Sequence, residues 1–145
     1  MRSARAWFDG GARGNPGDAA FGLLVAWDGG EQEIGGFLGR TTNNVAEYTG
    51  LLAALTWAQR EGVEELELFS DSELVVKQLA GAYKVKAAHL VPLFLKVLAL
   101  RRAIPRCRIR HVPRAENARA DAIVNRAIDE RLPVPEWLRP ALGVF

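Results

Sequence analysis

The sequence predicts an α/β fold in which helices flank a five-stranded mixed sheet. Its first third contains three apolar runs separated by turn-forming residues, and the remainder alternates single strands with stretches of helical periodicity. Strands joined by hairpins pair antiparallel, whereas strands separated by helical crossovers pair parallel. We therefore expect strands 1 to 3 to be antiparallel and strands 1, 4 and 5 to be parallel.

The first three strands are predicted to form a meander. Apolar and polar positions alternate along them, and the residues between them favour turns. The first turn is a glycine-rich run that includes Asn15 and Pro16, and the second is Asp28-Gly29-Gly30. The predicted strands cover 5–9, 21–27 and 31–38, and the first turn covers 10–17.

The remaining elements are predicted from helical spacing and from breaks at glycine and proline. Pro92 is compatible only with the first turn of its helix. Three prolines make the C-terminal tail irregular, so Trp137, Leu138 and Phe145 either pack back or are loose. The predicted helices cover 44–60, 72–79, 90–103 and 116–130, the strands cover 63–70 and 107–112, and the main domain (1–131) precedes a tail (132–145).

Size and composition indicate one domain with an ordinary hydrophobic core. Of 145 residues, 49% are apolar and 25% are charged, which excludes disorder as the main state. The single cysteine, Cys107, excludes an internal disulfide, and no zinc-site spacing, signal peptide or long apolar run is present. We expect a cytoplasmic protein without a membrane partner, with a monomer as its simplest state.

Four acidic residues lie where the predicted topology places a functional crevice. In open α/β sheets that crevice lies beyond the carboxyl ends of the parallel strands. Asp9 and Asp71 end strands 1 and 4, and Glu47 and Asp121 lie near the starts of two helices. Each acid also has an ordinary alternative role: a turn former for Asp9, a capping box with Asn44 for Glu47, a helix cap for Asp71 and a helix-dipole partner for Asp121.

A carboxylate cluster at this position favours metal chemistry. Asp9 directly follows Trp7 and Phe8 at the end of a central strand, where burial of an unpaired charge is costly. Crowded carboxylates repel one another unless a cation stands between them, and Mg²⁺ prefers such oxygen ligands. Two such ions can stabilise the entering and leaving oxygens of a phosphoryl displacement.

Four segments of the chain, each containing one of the acids, identify a family resemblance. They are FDGGARGNPG at 8–17, TTNNVAE at 41–47, FSDS at 69–72 and HVPRAENARAD at 111–121. In this order they resemble the signature segments of type 1 ribonuclease H, in particular its compact bacterial and archaeal branch. The resemblance implies a ribonuclease H-like fold, with 1–131 as the catalytic domain.

The resemblance implies an endoribonuclease that hydrolyses the RNA strand of RNA–DNA hybrids and leaves 5′-phosphate and 3′-hydroxyl ends. Two Mg²⁺ or Mn²⁺ ions are expected, with Asp9 bridging both. Glu47 and Asp71 are expected to serve mainly the ion near the nucleophilic water or scissile phosphate, and Asp121 the second ion. An RNA–RNA duplex is a further candidate substrate.

The resemblance also implies substrate contacts beside the acids. Gly10, Gly11 and Ala12 are small enough for backbone groups to approach the 2′-hydroxyls that distinguish RNA from DNA. For the polar residues at the start of the first helix, capping is an alternative role that is compatible with substrate contact. The positions matching minor-groove contacts are Asn15, Asn43 and Asn44, and those matching a pocket for a DNA-strand phosphate are Thr42 and Asn44.

The sequence departs from the family pattern where substrate binding is concerned. Glu73 stands where many relatives have a glutamine that contacts RNA, and an acid is a poor partner for a polyanion. The basic protrusion of some relatives is reduced to a short segment containing Tyr83, Lys84 and Lys86. We therefore expect these lysines and surface arginines to contact the phosphate backbone of the nucleic acid. We also expect the affinity for the hybrid to be salt-sensitive.

A histidine and an arginine precede the last acid. His111 lies ten residues before Asp121, the spacing at which certain relatives carry a loop histidine that helps product release. Because His111 alternates with Cys107 and Ile109, we favour an inward-packed strand-end residue. Arg114 is then the candidate for contact with the leaving phosphate.

Charges are segregated along the chain although the formal net charge is only +2. Six arginines and no acid lie between 101 and 114, a block that fits either a polyanion surface or a solvated strand face. A non-cleaving hybrid- or duplex-binding module is the alternative function, against which the presence of all four acids argues. A metal enzyme acting on a small phosphoester is disfavoured because the phosphate-cradling GxxxxGK[ST] loop is missing from the sequence.

Overall fold

The computed structural model describes residues 2–143. Two short 3₁₀ helices, Arg114–Asn117 and Arg139–Leu142, accompany the regular elements. Among the described residues, none of the helices combines the length and apolar character that a membrane crossing requires. The strands are β1 (Ser3–Gly14), β2 (Gly17–Trp27), β3 (Gly30–Thr41), β4 (Glu65–Ser70) and β5 (Arg106–His111), and the helices are α1 (Asn43–Arg60), α2 (Glu73–Leu79), α3 (Val91–Arg102) and α4 (Ala118–Asp129).

The sheet confirms the predicted fold class. Its strand order is β3-β2-β1-β4-β5, with β1 at the centre. Strand β1 pairs antiparallel with β2 and parallel with β4, β2 pairs antiparallel with β3, and β4 pairs parallel with β5. The carboxyl ends of β1 and β4 therefore meet at the same edge, as the crossover argument requires.

The first hairpin is longer than the sequence predicts. The expectation that 10–17 forms an open turn is wrong, because β1 continues to Gly14 and pairs with β2 from Gly17 onward. Only Asn15 and Pro16 remain between the two strands. Glycine and alanine in this stretch fit the ladder because their small side chains do not crowd the facing strand, as at the Ala12–Ala19 pair.

Helices cover the two faces of the sheet unequally. Helix α1 packs on one face, where alternate residues of β1 and β2 such as Phe8 and Phe21 are fully buried. Helix α4 packs on the opposite face over β2 and β3, and a Cβ added to Gly22 would lie 2.3 Å from the Ala120 carbonyl oxygen. This contact places the start of α4 over β2, at the residue that pairs with Asp9 of the central strand.

The described part of the tail packs back on the main domain. Leu138 is fully buried, and the Arg60 guanidinium lies 5.6 Å from the ring centre of the partly buried Trp137. The Phe37 N–H also donates a hydrogen bond to the Leu132 carbonyl oxygen. Phe145 lies outside the described residues, and the division at residue 131 stays a prediction.

Candidate active site

Asp9 and Asp71 lie at one level at the carboxyl edge of the parallel strands. The last parallel pair of β1 and β4 is Trp7 with Phe69, and each aspartate lies two residues after its member of this pair. Asp9 is only 9% exposed, whereas Asp71 is partly exposed. The two acids therefore lie at the same edge of the parallel pairing as predicted, although the expectation that Asp9 ends its strand is wrong, because β1 continues to Gly14.

Two helices bring the other acids to the same edge. Gly10 allows α1 to lie against β1, because a Cβ at this glycine would be only 2.3 Å from the backbone nitrogen of Glu47. Asp121 lies in the first turn of α4, the helix that packs beside Gly22. Asp9, Glu47 and Asp121 thus come from three separate elements that pack closely around the central strand.

The pKa values show that the carboxylates act on one another. Burial raises the pKa of Asp9 to about 8, with further increases from Asp71, Asp121 and Glu47 and a decrease from the Gly10 backbone hydrogen bond. Burial and the charge of Asp71 raise the pKa of Glu47 to about 7, against the lowering effect of the Ser72 hydroxyl. A cation between these groups would remove the repulsion.

The donor chemistry of this cluster fits a hard divalent cation. In the described arrangement, no three His, Cys, Asp or Glu side chains of residues 2–143 are positioned to hold one metal ion together. Mg²⁺ commonly takes only one or two carboxylates, while waters and substrate oxygens complete its shell. The all-carboxylate donor set and the negative charges around the buried Asp9 therefore match an ion of the Mg²⁺ or Mn²⁺ type.

Asn117 links two of these acidic positions and was missed by the sequence analysis. Its side-chain amide donates one hydrogen bond to the Phe8 carbonyl oxygen (2.9 Å) and another to Asp71 Oδ1 (3.0 Å). Asn117 is 2% exposed, and its own Oδ1 is buried without a hydrogen-bond partner in the described chain. No periodicity could indicate this role, because Asn117 and Phe8 lie 109 residues apart.

Other residues cap the helices for which Glu47 and Asp71 were considered as capping residues. Thr42 caps α1, with its hydroxyl accepting a hydrogen bond from the Val45 N–H, so the capping box proposed for Glu47 with Asn44 is wrong. Ser72 caps α2 in the same way. The alternative role of Asp71 as a helix cap is therefore also wrong.

The first hairpin and the start of α1 are joined by asparagine side chains. The Ala12 N–H donates to Asn43 Oδ1 at 2.7 Å, and the Asn43 N–H donates to Asn15 Oδ1 at 3.1 Å. Within residues 2–143, neither side-chain NH₂ group of these asparagines donates a hydrogen bond. The fold thus brings together three of the residues predicted to contact substrate, with donor groups still available.

Among the remaining predicted residues, His111 lies beside Asp71 at this edge. The inward packing expected for His111 is wrong: the side chain is exposed, and its Nε2 lies 3.3 Å from the Asp71 carbonyl oxygen. His111 is the last residue of β5, which forms one edge of the sheet. Glu73 forms a 2.6 Å ion pair with Lys77, which offsets its charge. Arg114, Lys84 and Lys86 are exposed, as is Asn44, while Thr42 and Gly11 are partly buried.

Comparisons with known proteins agree with this geometry. A family model described as reverse transcriptase-like matches residues 7–127. The chain is 47% identical over 127 residues to ribonuclease HI of Halobacterium salinarum, covering 86% of this chain and 64% of that protein. The crystal structure of RNase H1 from H. salinarum superimposes with a TM-score of 0.83 at 45% identity, covering 88% of this chain and 98% of the other.

A further solved structure includes a nucleic acid. LC11-RNase H1 in complex with an RNA/DNA hybrid has a TM-score of 0.81 and 41% identity, with 88% of this chain and 97% of the other covered. The chain spans between 34% and 64% of the length of this ribonuclease HI and of further curated relatives that it matches.

Proposed function

Because the chain belongs to the ribonuclease H family, we propose that it is an endoribonuclease acting on RNA–DNA hybrids. It hydrolyses the RNA strand and leaves 5′-phosphate and 3′-hydroxyl ends. The observation that carries the proposal is the buried Asp9 at the carboxyl edge of the sheet, whose pKa is raised by burial and by three further carboxylates. Such a cluster is suited to holding cations that bind phosphate oxygens.

We assign two Mg²⁺ or Mn²⁺ ions to Asp9, Glu47, Asp71 and Asp121. When bound, these ions supply charge stabilisation for the entering and leaving oxygens of the phosphodiester displacement. The protein's part is to fix the ligands: β1 carries Asp9, the end of β4 positions Asp71, and α1 and α4 position the other two acids. Asn117 holds Asp71 through a hydrogen bond and so limits its side-chain rotation.

The hybrid substrate is supported by the donors beside the carboxylates. The NH₂ groups of Asn15 and Asn43 are available for minor-groove acceptors, and the backbone at 10–12 carries only small side chains. A minor groove that displays 2′-hydroxyls is the feature by which proteins distinguish RNA from DNA. Exposed Arg114, Lys84 and Lys86 are the candidates for contact with flanking phosphates, and a monomeric, cytoplasmic protein stays a prediction.

A substrate panel tests the reaction. Labelled RNA–DNA hybrid, RNA–RNA duplex and DNA–DNA duplex are incubated with Mg²⁺ or Mn²⁺, with EDTA as the metal-free control. We expect cleavage of the RNA strand of the hybrid and none in EDTA. Binding of the hybrid without cleavage under any metal condition would instead support the non-cleaving module.

A further inference from the structure

One part of the sheet surface opposite α1 carries a set of exposed arginines. Helix α4 packs over β2, β3 and the adjoining part of β1, whereas the side chains of Arg5, Arg108 and Arg110 are exposed. Strand alternation places these arginines on the side of the sheet away from α1. We call this surface the outer arginine face; it consists of Arg5, Trp7, Glu67, Phe69, Arg108 and Arg110.

The register of the parallel strands arranges this face in two rows. Arg5 pairs with Glu67, and Glu67 pairs with Arg108, which forms the first row. The second row, one alternate position further along each strand, consists of Trp7, Phe69 and Arg110. Because neighbouring strands lie about 4.8 Å apart, each row presents its side chains side by side.

The charges on this face do not cancel. Glu67 forms an ion pair with Arg110 at 3.7 Å. Within residues 2–143, Arg5 and Arg108 make no ion pair within 4.0 Å. The first row therefore presents two uncompensated guanidinium groups. An open depression of about 1380 Å³ adjoins this row and continues to Arg2 and Arg106, although Asp28, Glu65 and Glu67 also line it.

Two stacked aromatic rings contact two of the three arginines, Arg5 and Arg110. Trp7 and Phe69 are stacked with ring centres 4.9 Å apart and planes inclined by 14°. The guanidinium of Arg5 lies 5.5 Å from the Trp7 ring centre, and that of Arg110 lies 5.9 Å from the Phe69 ring centre. A guanidinium packed on a ring keeps the N–H donors at its edge available, and these donors match phosphate oxygens.

The outer arginine face is continuous with the carboxylate cluster. Trp7 and Phe69 lie two residues before Asp9 and Asp71, so alternation directs all four side chains to the same side of the sheet. Arg5 lies four residues before Asp9, about 13 Å along the strand. A nucleic acid whose scissile phosphate lies at the carboxylates would therefore meet cations along this face.

We propose that the outer arginine face binds the phosphate backbone of the substrate arm that flanks the cleaved step. The occupant is nucleic acid because guanidinium groups with free donor edges complement a row of phosphates. The proposal rests on the proposed function for the position of the cleaved step. Binding at this face does not depend on the base sequence of the nucleic acid, because the arginines contact phosphates and not base edges.

The test compares the double variant Arg5→Gln/Arg108→Gln with the parent protein, both in an Asp71→Asn background with Mg²⁺ present so that substrate is not consumed. Fluorescence anisotropy gives the affinity for RNA–DNA hybrids of about 24 and about 8 base pairs at several salt concentrations. For the long hybrid we expect the slope of log affinity against log salt to fall by about 1.8, or 0.9 for each lost contact. We expect the affinity for the short hybrid to be unchanged.

Two control variants test whether a change in slope comes from the positive charges at Arg5 and Arg108. Arg139→Gln removes an exposed arginine of the tail, and we expect no change in slope. Arg5→Lys/Arg108→Lys keeps both charges, and we expect most of the slope to be retained. Circular dichroism and thermal unfolding verify that each variant is folded.

An unchanged slope for the long hybrid overturns the proposal and assigns the arginines to a solvated strand face. An unchanged slope with an altered sedimentation coefficient would also overturn it, in favour of contacts between copies of the chain. Failure of the proposed function gives a different result: wild-type protein would bind the long hybrid through these arginines but cleave no substrate.

Discussion

Asp9 illustrates the conflict between stability and function at the level of a single residue. Its carboxylate is 9% exposed, and burial together with Asp71 raises its pKa from 3.8 to about 8. The folded protein therefore binds this proton more tightly than the unfolded chain. The stabilisation that results is complete below about pH 4 and is lost as the pH rises towards 8.

Replacing this acid should stabilise the metal-free protein. We expect Asp9→Asn to increase the free energy of unfolding in EDTA at pH 8.5 by at least about 1 kcal/mol, since each unit of pKa shift corresponds to 1.36 kcal/mol. The gain should shrink as the pH is lowered to 4. Urea denaturation at both pH values measures it, with Glu61→Gln at the exposed end of α1 as the control. A less stable Asp9→Asn protein at pH 8.5 would contradict this explanation of the raised pKa.

Asn117 connects the scaffold to the carboxylates. Asn117→Ala removes the donor to the Phe8 carbonyl oxygen and the donor to Asp71. We expect a loss of about 1 to 3 kcal/mol in unfolding free energy from the unsatisfied carbonyl, and about a 10- to 100-fold loss of Mg²⁺ affinity.

Calorimetric titration with Mg²⁺ separates these two effects. Asn117→Asp is a close match in size but cannot donate when ionised, so we expect at least as large a loss of stability. Unchanged Mg²⁺ affinity in folded Asn117→Ala would show that this residue supports only the backbone.

The role of a single residue could be predicted only where the neighbouring sequence indicates its position in a strand or helix. The positions of the four acids follow from strand ends and helix starts, and the structure brings them to one edge. The burial of Asn117 and the exposure of His111 depend on which elements pack around them in three dimensions. Neither property has a periodic signal in the sequence.

At the level of elements, glycines set how closely α1 approaches β1 and how closely α4 approaches β2. The missing Cβ of Gly10 leaves room for the α1 backbone at Ala46 and Glu47, and that of Gly22 leaves room for the α4 backbone at Ala120. Both helices carry an acid of the cluster beside the contact. Close packing at these two glycines therefore determines the separation of Glu47 and Asp121 from Asp9.

A pair of alanine substitutions tests this packing. A Cβ at Gly10 would lie 2.1 Å from the Ala46 carbonyl carbon, so we expect Gly10→Ala to displace α1 and to lower stability by more than about 2 kcal/mol. Cleavage of the hybrid should fall at least about tenfold as Glu47 moves. Gly11→Ala is the matched control for stability, because its Cβ would make only an ordinary 3.6 Å contact with Val124. Equal stability of the two variants would exclude the packing explanation.

The elements themselves were predicted best where apolar periodicity is strong. Helix α1 begins one residue before the predicted start and ends at the predicted residue, because its apolar positions recur at helical spacing. The hairpin of β1 and β2 was predicted too short. Its glycines favour turns in isolation, and only pairing between the two strands makes this segment extended.

At the scale of the whole molecule, the net charge of only +2 results from acidic and basic residues that lie in separate regions of the surface. The carboxylates occupy one end of the parallel strands, and the outer arginine face lies on the same side of the sheet, nearer the amino ends of those strands. Two bound divalent cations would add four positive charges at the acidic end. The metal-loaded protein would then present positive charge along a continuous surface, which favours a polyanionic substrate.

The measurement that tests the role of the carboxylates most directly is the rate of RNA-strand cleavage in an RNA–DNA hybrid by Asp71→Asn. Glu61→Gln is the control, since it removes a charge about 21 Å away at the other end of the helix that carries Glu47. We expect Asp71→Asn to fold normally and to cleave at least about 1,000-fold more slowly, a loss of about 4 kcal/mol in transition-state stabilisation, while Glu61→Gln retains the wild-type rate. Equal cleavage rates for Asp71→Asn and the wild type would contradict the assignment of the active site.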